Sequence, residues 1–278
     1  MREAESFIAA YTDVQPLPHI VATVSKLIAD QESTMKDFEE VIKMDPVLVA
    51  RLLQLINSPY YGLAQAVTSI GRAVAYLGMK NLHNLIVVDA MKAIFVARES
   101  QGTFSRKRLW MHSAAVSICA KMVAERIFAI NGDDAFLCGI LHDFGLVVEE
   151  QVAGEAFQSL CLACSSSADL LRLEREKLGT DHAEIGYLLT GKWTMGTAVR
   201  EAIRDHHLLD AAIRPQSLTG ILQLAEYLAC RLGHGVLPKV APNISAALLD
   251  HMRDNLDEYE VLIDDLPEEM AKAEAIYG

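Results

Sequence analysis

The chain has 278 residues, 51% hydrophobic and 22% charged, with 37 acidic against 25 basic residues and a net charge of −12 when the histidines are neutral. A chain of this size buries a substantial core. Its acidic field repels polyanions and argues against nucleic acid as a partner, and no uninterrupted apolar run reaches the roughly 18 residues of a membrane helix. The opening "MREAESFIAAYTDV" lacks the apolar centre of a signal peptide, so the expected compartment is the cytoplasm, with no membrane contact.

Helical periodicity begins with "HIVATVSKLIAD", where Ile20, Val24, Leu27 and Ile28 share one face. It continues in "PVLVARLLQLIN", where Val47, Leu48, Leu52, Leu55 and Ile56 do the same. Asp45 before Pro46 is an N-cap followed by proline at the first helical position. "NSPYYGLAQ" ends that helix and offers the aromatic pair Tyr60 and Tyr61 as a contact patch. Polar residues and a glycine in "ARESQGTFSRK" interrupt the apolar pattern near 98 to 105, dividing an N-terminal helical subdomain (1–100) from a second one (101–278). "SRKRLW" (105 to 110) is the strongest basic run and reads as a solvated helix start.

Beyond it, "AINGDDA" and "IRPQSLTG" break helices, and Asp181 with Glu184 resembles a capping box ahead of "IGYLLTGKW". The tail "DEYEVLIDDLPEEMAKAEAIYG" reads as an acidic helical end, solvated or docked on the rest. No segment alternates with a two-residue period between hairpin turns, so the predicted fold is all-α. Cys119, Cys138, Cys161, Cys164 and Cys230 read as reduced, mostly buried thiols; the CxxC at 161 and 164 lacks a second pair to complete a zinc site.

Polar ligand types recur inside apolar helical stripes after residue 105. His112 lies in "LWMHSAAVSICAKM", and His142 and Asp143 sit side by side in "LCGILHDFGLVVEE". His182 opens "DHAEIG", His206 and His207 stand in "AIRDHHLLD", and Glu226 lies in "ILQLAEYLA". Charged groups are seldom buried without a partner or a metal. Imidazole and carboxylate together suit Fe, Mn or Zn in a helical cage, and these seven residues are the candidate ligands. His19, His83, His234 and His251 lack such companions and read as structural or exposed.

Several blocks carry a resemblance: "LPHIVATVSKLIAD", "DFEEVIKMDPVLVARLLQLINSPYYG", "VTSIGRAVAYLGMKNLHNLIVV", "LWMHSAAVS", "FLCGILHDFGLVV", "DHAEIGYLLTGKW" and "AIRDHH". In this order, from about residue 13 to 231, the chain resembles the HDOD family, the HD-related output domain of bacterial signalling proteins. The resemblance implies an N-terminal helical subdomain packed on an HD-like helical bundle. Because it takes up most of the length, no receiver, cyclase or phosphodiesterase domain is expected. It also implies that His112, His142, Asp143, His182, His206 and His207 fall at the metal-ligand positions of the HD phosphohydrolases, with Glu226 at a final Asp position.

Three departures set the chain apart from the catalytic HD-GYP pattern. Leu146 stands where that pattern has Lys, no Gly-Tyr-Pro segment follows the paired histidines, and Arg108 stands four residues before His112. The favoured expectation is a non-catalytic signal-transduction module that acts through a signalling protein or small ligand, with His142 and Asp143 hydrogen-bonding across the bundle. The alternatives are a metal-binding sensor and a metal-dependent phosphohydrolase acting on a nucleotide or cyclic dinucleotide.

Overall fold

A computed structural model of the chain describes residues 2–11, 19–30, 32–96, 104–210, 212–237, 240 and 242–277. Helices dominate, and no β-strand is present among the described residues. No helix there is long and apolar enough to cross a membrane. The first half runs α1 (Arg2–Ala10), α2 (His19–Ala29), α3 (Met35–Lys43), α4 (Pro46–Ile56) and α5 (Ile70–Val96). Asp45 caps α4 as its sequence predicts, its Oδ1 accepting the N–H groups of Val47 and Leu48 at 3.0 Å. Gly78, at φ 76°, kinks α5 at the Leu-Gly step, a backbone state open to glycine at little cost.

The second half runs α6 (Arg106–Met122), α7 (Asp133–Leu141), α8 (Phe144–Ala163), α9 (Ser167–Leu178), α10 (His182–Lys192), α11 (Thr197–Asp205), α12 (Leu218–Arg231), α13 (Ala246–Asp254) and α14 (Leu256–Tyr277). α6 is buried on nearly every side, packed by α7, α12, α14 and α5. One continuous apolar core joins both halves. The helix that opens the chain, α1, lies against α8 and α10 of the later bundle, and Tyr11 meets Phe144 edge-on. The acidic tail is docked: Tyr259, Leu262 and Leu266 of α14 are buried, and its outer face is tied by Arg126 to Asp265 and Glu269.

One local expectation needs revision, and the predicted subdomain boundary near 98 to 105 lies largely outside the described residues. The basic run at 105–110 is a helix start capped by Ser105, but it is not wholly solvated: Arg106 is buried, and its Nε donates to Glu150 at 2.8 Å. Only Lys107 and Arg108 of its cations face outward. The reason is registry, since Arg106 precedes the buried Leu109 and Trp110 by one turn and points to the same side.

Candidate metal centre

Four helix ends and two helix bodies bring the seven candidate ligands together. His112 lies one turn inside α6 from a face that meets α7. A Cβ on Gly139 would collide with the backbone of Ser117, so glycine lets these two helices approach closely. His142 ends α7, and Asp143 occupies the corner from which α8 departs. At Gly145 a Cβ would collide with the carbonyl of His182, so the start of α8 and the start of α10 touch only because that residue is glycine. His182 is the first residue of α10, placed by Asp181 as N-cap, whose Oδ1 accepts the Glu184 N–H at 2.8 Å. His206 and His207 follow α11, in a turn pinned to α12 because Gln223 Nε2 donates to the carbonyls of Asp205 (3.2 Å) and Leu208 (2.8 Å). Glu226 comes from α12 itself.

Asp143 is the centre. Its Oδ2 lies 3.5 Å from His112 Nε2 and 3.4 Å from His142 Nε2, while Oδ1 lies 3.4 Å from His182 Nε2 and 3.5 Å from His206 Nε2. The Nε2 atoms of His112 and His142 are 3.1 Å apart, as are those of His182 and His207. Glu226 closes the cage with Oε1 at 4.0 Å from His207 Nδ1. Asp143, His182, His206 and His207 form one set of donor atoms spaced for a metal ion, and His112, His142 and Glu226 form a second.

The protons are fixed from behind. His112 Nδ1 lies 2.6 Å from the His234 carbonyl, His142 Nδ1 2.9 Å from that of Gly139, and His206 Nδ1 2.6 Å from that of Ile203. His182 Nδ1 lies 2.8 Å from Glu174 Oε2. Carbonyl and carboxylate oxygens only accept, so each of these four rings carries a hydrogen on Nδ1 and turns its Nε2 toward Asp143, bare wherever the ring is neutral. Two bare nitrogens 3.1 Å apart repel unless a cation, a proton or a metal ion, serves both. His206 Nε2 is buried with no hydrogen-bond partner among the described residues. Such orphaned acceptors, held in one tautomer by outer partners, are what metal-ligating histidines present.

Electrostatics sorts the rings. Burial, opposed by Asp143, pushes His112 down to about 4, and burial with the neighbouring imidazoles pushes His207 well below the ordinary value. Both are neutral and competent as ligands at pH 7. Burial alone would lower His182 too, but Glu174, Asp143 and Asp181 lift it to about 9. Against the same burial, His142, His206 and His182 hold the Asp143 carboxyl well below the usual carboxylate range. Glu226 is raised by burial.

Three contributors escaped the sequence reading. Glu174 on α9 is fully buried and also accepts the His182 backbone N–H at 3.2 Å. Behind it Glu149 is fully buried, both oxygens without a hydrogen-bond partner, and burial and Glu174 raise its pKa well above that of a free glutamate. His234 contributes its carbonyl, while its ring is half-buried. Of the remaining candidates, Arg108 points out of the cage and does not oppose a cation there. Tyr61 is half-buried and packs on the core, in a 3-10 turn (Pro59–Tyr61) lying against α14; the Tyr60 side chain falls outside the described residues. Cys161 and Cys164 are free, and burial raises both thiols.

A cavity of about 40 Å³ adjoins the cage, lined among others by His112, Asp143, Leu146, Ser167, His207 and Glu226. It has room for an ion and a few waters, which need about 10–15 Å³ each. Organic ligands occupy roughly 300–1,000 Å³. These buried His and Asp groups are able to bind a metal ion.

Comparison with known proteins places the arrangement. The model of the HDOD domain matches residues 14–209. A crystal structure from Shewanella amazonensis SB2B called "Putative phosphohydrolase" is 26% identical, with a TM-score of 0.68 over 97% of this chain and 94% of that one. An HDOD domain protein of unknown function from Geobacter sulfurreducens is 24% identical with a TM-score of 0.70, covering 95% and 97%. A "Putative signal transduction protein" from Marinobacter aquaeolei VT8, 22% identical, reaches 0.75 over 100% of this chain and 65% of its own. Among curated proteins, an uncharacterized one from Treponema pallidum (strain Nichols) is 26% identical over 215 residues, 75% of this chain, which spans 40% of that protein's length. The buried His-Asp corner, the all-helical frame and the matched span make the chain a member of the HDOD domain family.

Proposed function

We propose that this HDOD domain is a regulatory module built around a resident divalent metal centre, acting by recognition of a signalling protein or small ligand and not by turnover. The observation that supports it is the orientation lock: four imidazoles tied through Nδ1 to His234, Gly139, Glu174 and Ile203, with their Nε2 atoms facing Asp143. His112, His142, Asp143, His182, His206, His207 and Glu226 would hold the metal, with Fe, Mn or Zn suited to this mixed nitrogen and oxygen set. When bound, such an ion neutralises the buried carboxylates and ties six helices together.

Two observations support the non-catalytic part. The cavity beside the cage, about 40 Å³, is too small for a nucleotide. Leu146 lines it where a phosphate-binding cation would be needed. The protein names of the relatives, a phosphohydrolase in one case and a signal transduction protein in another, are compatible with a shared metal frame put to different ends.

The test is metal content by mass spectrometry on chain purified without chelator or nickel, beside the His142→Ala, Asp143→Ala double variant. We expect about one or two equivalents of Fe, Mn or Zn, lost in the variant, and released from the natural chain as pH falls toward about 4, where His112 takes up a proton. A folded natural chain without metal overturns the metal reading. Hydrolysis of any member of a nucleotide and cyclic-dinucleotide panel, with those metals supplied, overturns the non-catalytic one.

A further inference from the structure

A second cavity, of about 310 Å³, opens at the start of α6 and is lined by Ser105, Lys107, Arg108, Met111, His112 and the Gly233–Gly235 segment. Its volume falls at the lower end of the range for small organic ligands. Lys107 and Arg108 are exposed, and neither ion-pairs with a described residue. Among the described residues the lining contains no carboxylate, although the chain carries 37 acidic residues against 25 basic. Two uncompensated cations in a concave wall on a net-negative surface focus a local field that attracts anions. The start of a 17-residue helix adds the positive end of its dipole on the same side.

We infer that this cavity binds a phosphate-bearing small molecule, its phosphate held by Lys107 and Arg108 and its organic part resting on Met111 and the Gly233–Gly235 strand of backbone. Arg108 supplies a planar fork matched to phosphate oxygens, and Lys107 a point charge. Gly233, at φ 92°, and Gly235 flank His234 in the lining and carry no side chains, so a ligand approaches their backbone directly. Tight binding is not required, since a regulatory ligand present at millimolar concentration needs only a matching Kd.

The site also touches the metal cage. His112 and Gly235 line both cavities, and the His234 carbonyl between the two glycines accepts the Nδ1 hydrogen of His112 at 2.6 Å. A ligand pressing on this segment therefore acts on the atom that sets the tautomer of a cage histidine. The inference goes beyond the metal reading and stands without it, because the two cations lie outside the cage.

The experiment is calorimetric titration of ADP into the full chain, both as purified and after dialysis against chelator, alongside the Lys107→Gln, Arg108→Gln double variant. Both variant positions are exposed, so circular dichroism should match the natural chain. We expect ADP to bind the natural chain in both metal states, at least about tenfold more weakly in the variant, with an affinity that falls as salt rises. No heat with millimolar ADP in either metal state overturns the inference. Equal affinity in natural chain and variant overturns it as well, and binding that disappears on chelation while surviving in the variant places the phosphate on the metal instead. Metal content, measured separately, tells failure of this site from failure of the metal centre.

Discussion

His83 shows at the residue scale how a buried imidazole is satisfied without a metal. Its Nε2 donates to Ser25 Oγ at 2.8 Å, since the serine hydroxyl gives its own hydrogen to the Val21 carbonyl. Burial pushes its pKa down to about 4, against about 6.5 in an unfolded chain. The unfolded state therefore takes up a proton that the folded state refuses. The contribution of His83 is fully present above pH 6.5 and is lost as pH falls toward 4, by about 2 kcal/mol between pH 7 and pH 5. Urea unfolding of chelated protein should show the gap between the natural chain and His83→Gln shrinking by that amount at pH 5. A gap independent of pH would mean that folding leaves the His83 pKa where it is in the unfolded chain. The residues of the cage were legible as a group because His, Asp and Glu recur inside apolar helical stripes after residue 105. Glu174 and Glu149 were not, because "LRLEREKL" reads as a solvated charged face and "LVVEE" as a helix edge. The His234 carbonyl has no signature in sequence, since every residue has one.

At the scale of elements, helix positions follow from apolar spacing and caps, and these were read correctly at Asp45 and at the breaks after residues 56 and 128. What spacing does not reveal is how near two helices come. Gly139 and Gly145 look like ordinary helix glycines, yet each marks a crossing where a methyl group would meet backbone. Gly145→Ala should cost about 1–3 kcal/mol, the usual penalty for overpacking, read as a lower urea midpoint with an unchanged slope. It should also weaken metal retention, because the start of α10 that carries His182 must shift. A variant with natural stability would show that α8 and α10 have room to move apart. The same limit hid the burial of Arg106, whose role depends on Glu150 being forty-four residues away in sequence and adjacent in space.

At the scale of the whole molecule, the two halves are held by their ends. α1 packs on the later bundle, and α14 reaches back past α6 to the turn at Pro59–Tyr61. Removing residues 256–278 should uncover the buried partners of Tyr259, Leu262 and Leu266. We expect a lowered melting temperature and new binding of a hydrophobic dye; a truncated chain that melts like the natural one would make α14 an ornament. The position of α14 bears on how the protein is made. Domains fold during synthesis at about 5–20 residues per second, so the turn at residue 60 waits some ten seconds or more for its cover. During that wait the early helices expose a face that only the last-made helix conceals, which makes this the interval in which the nascent chain is most open to chaperones and to misassembly.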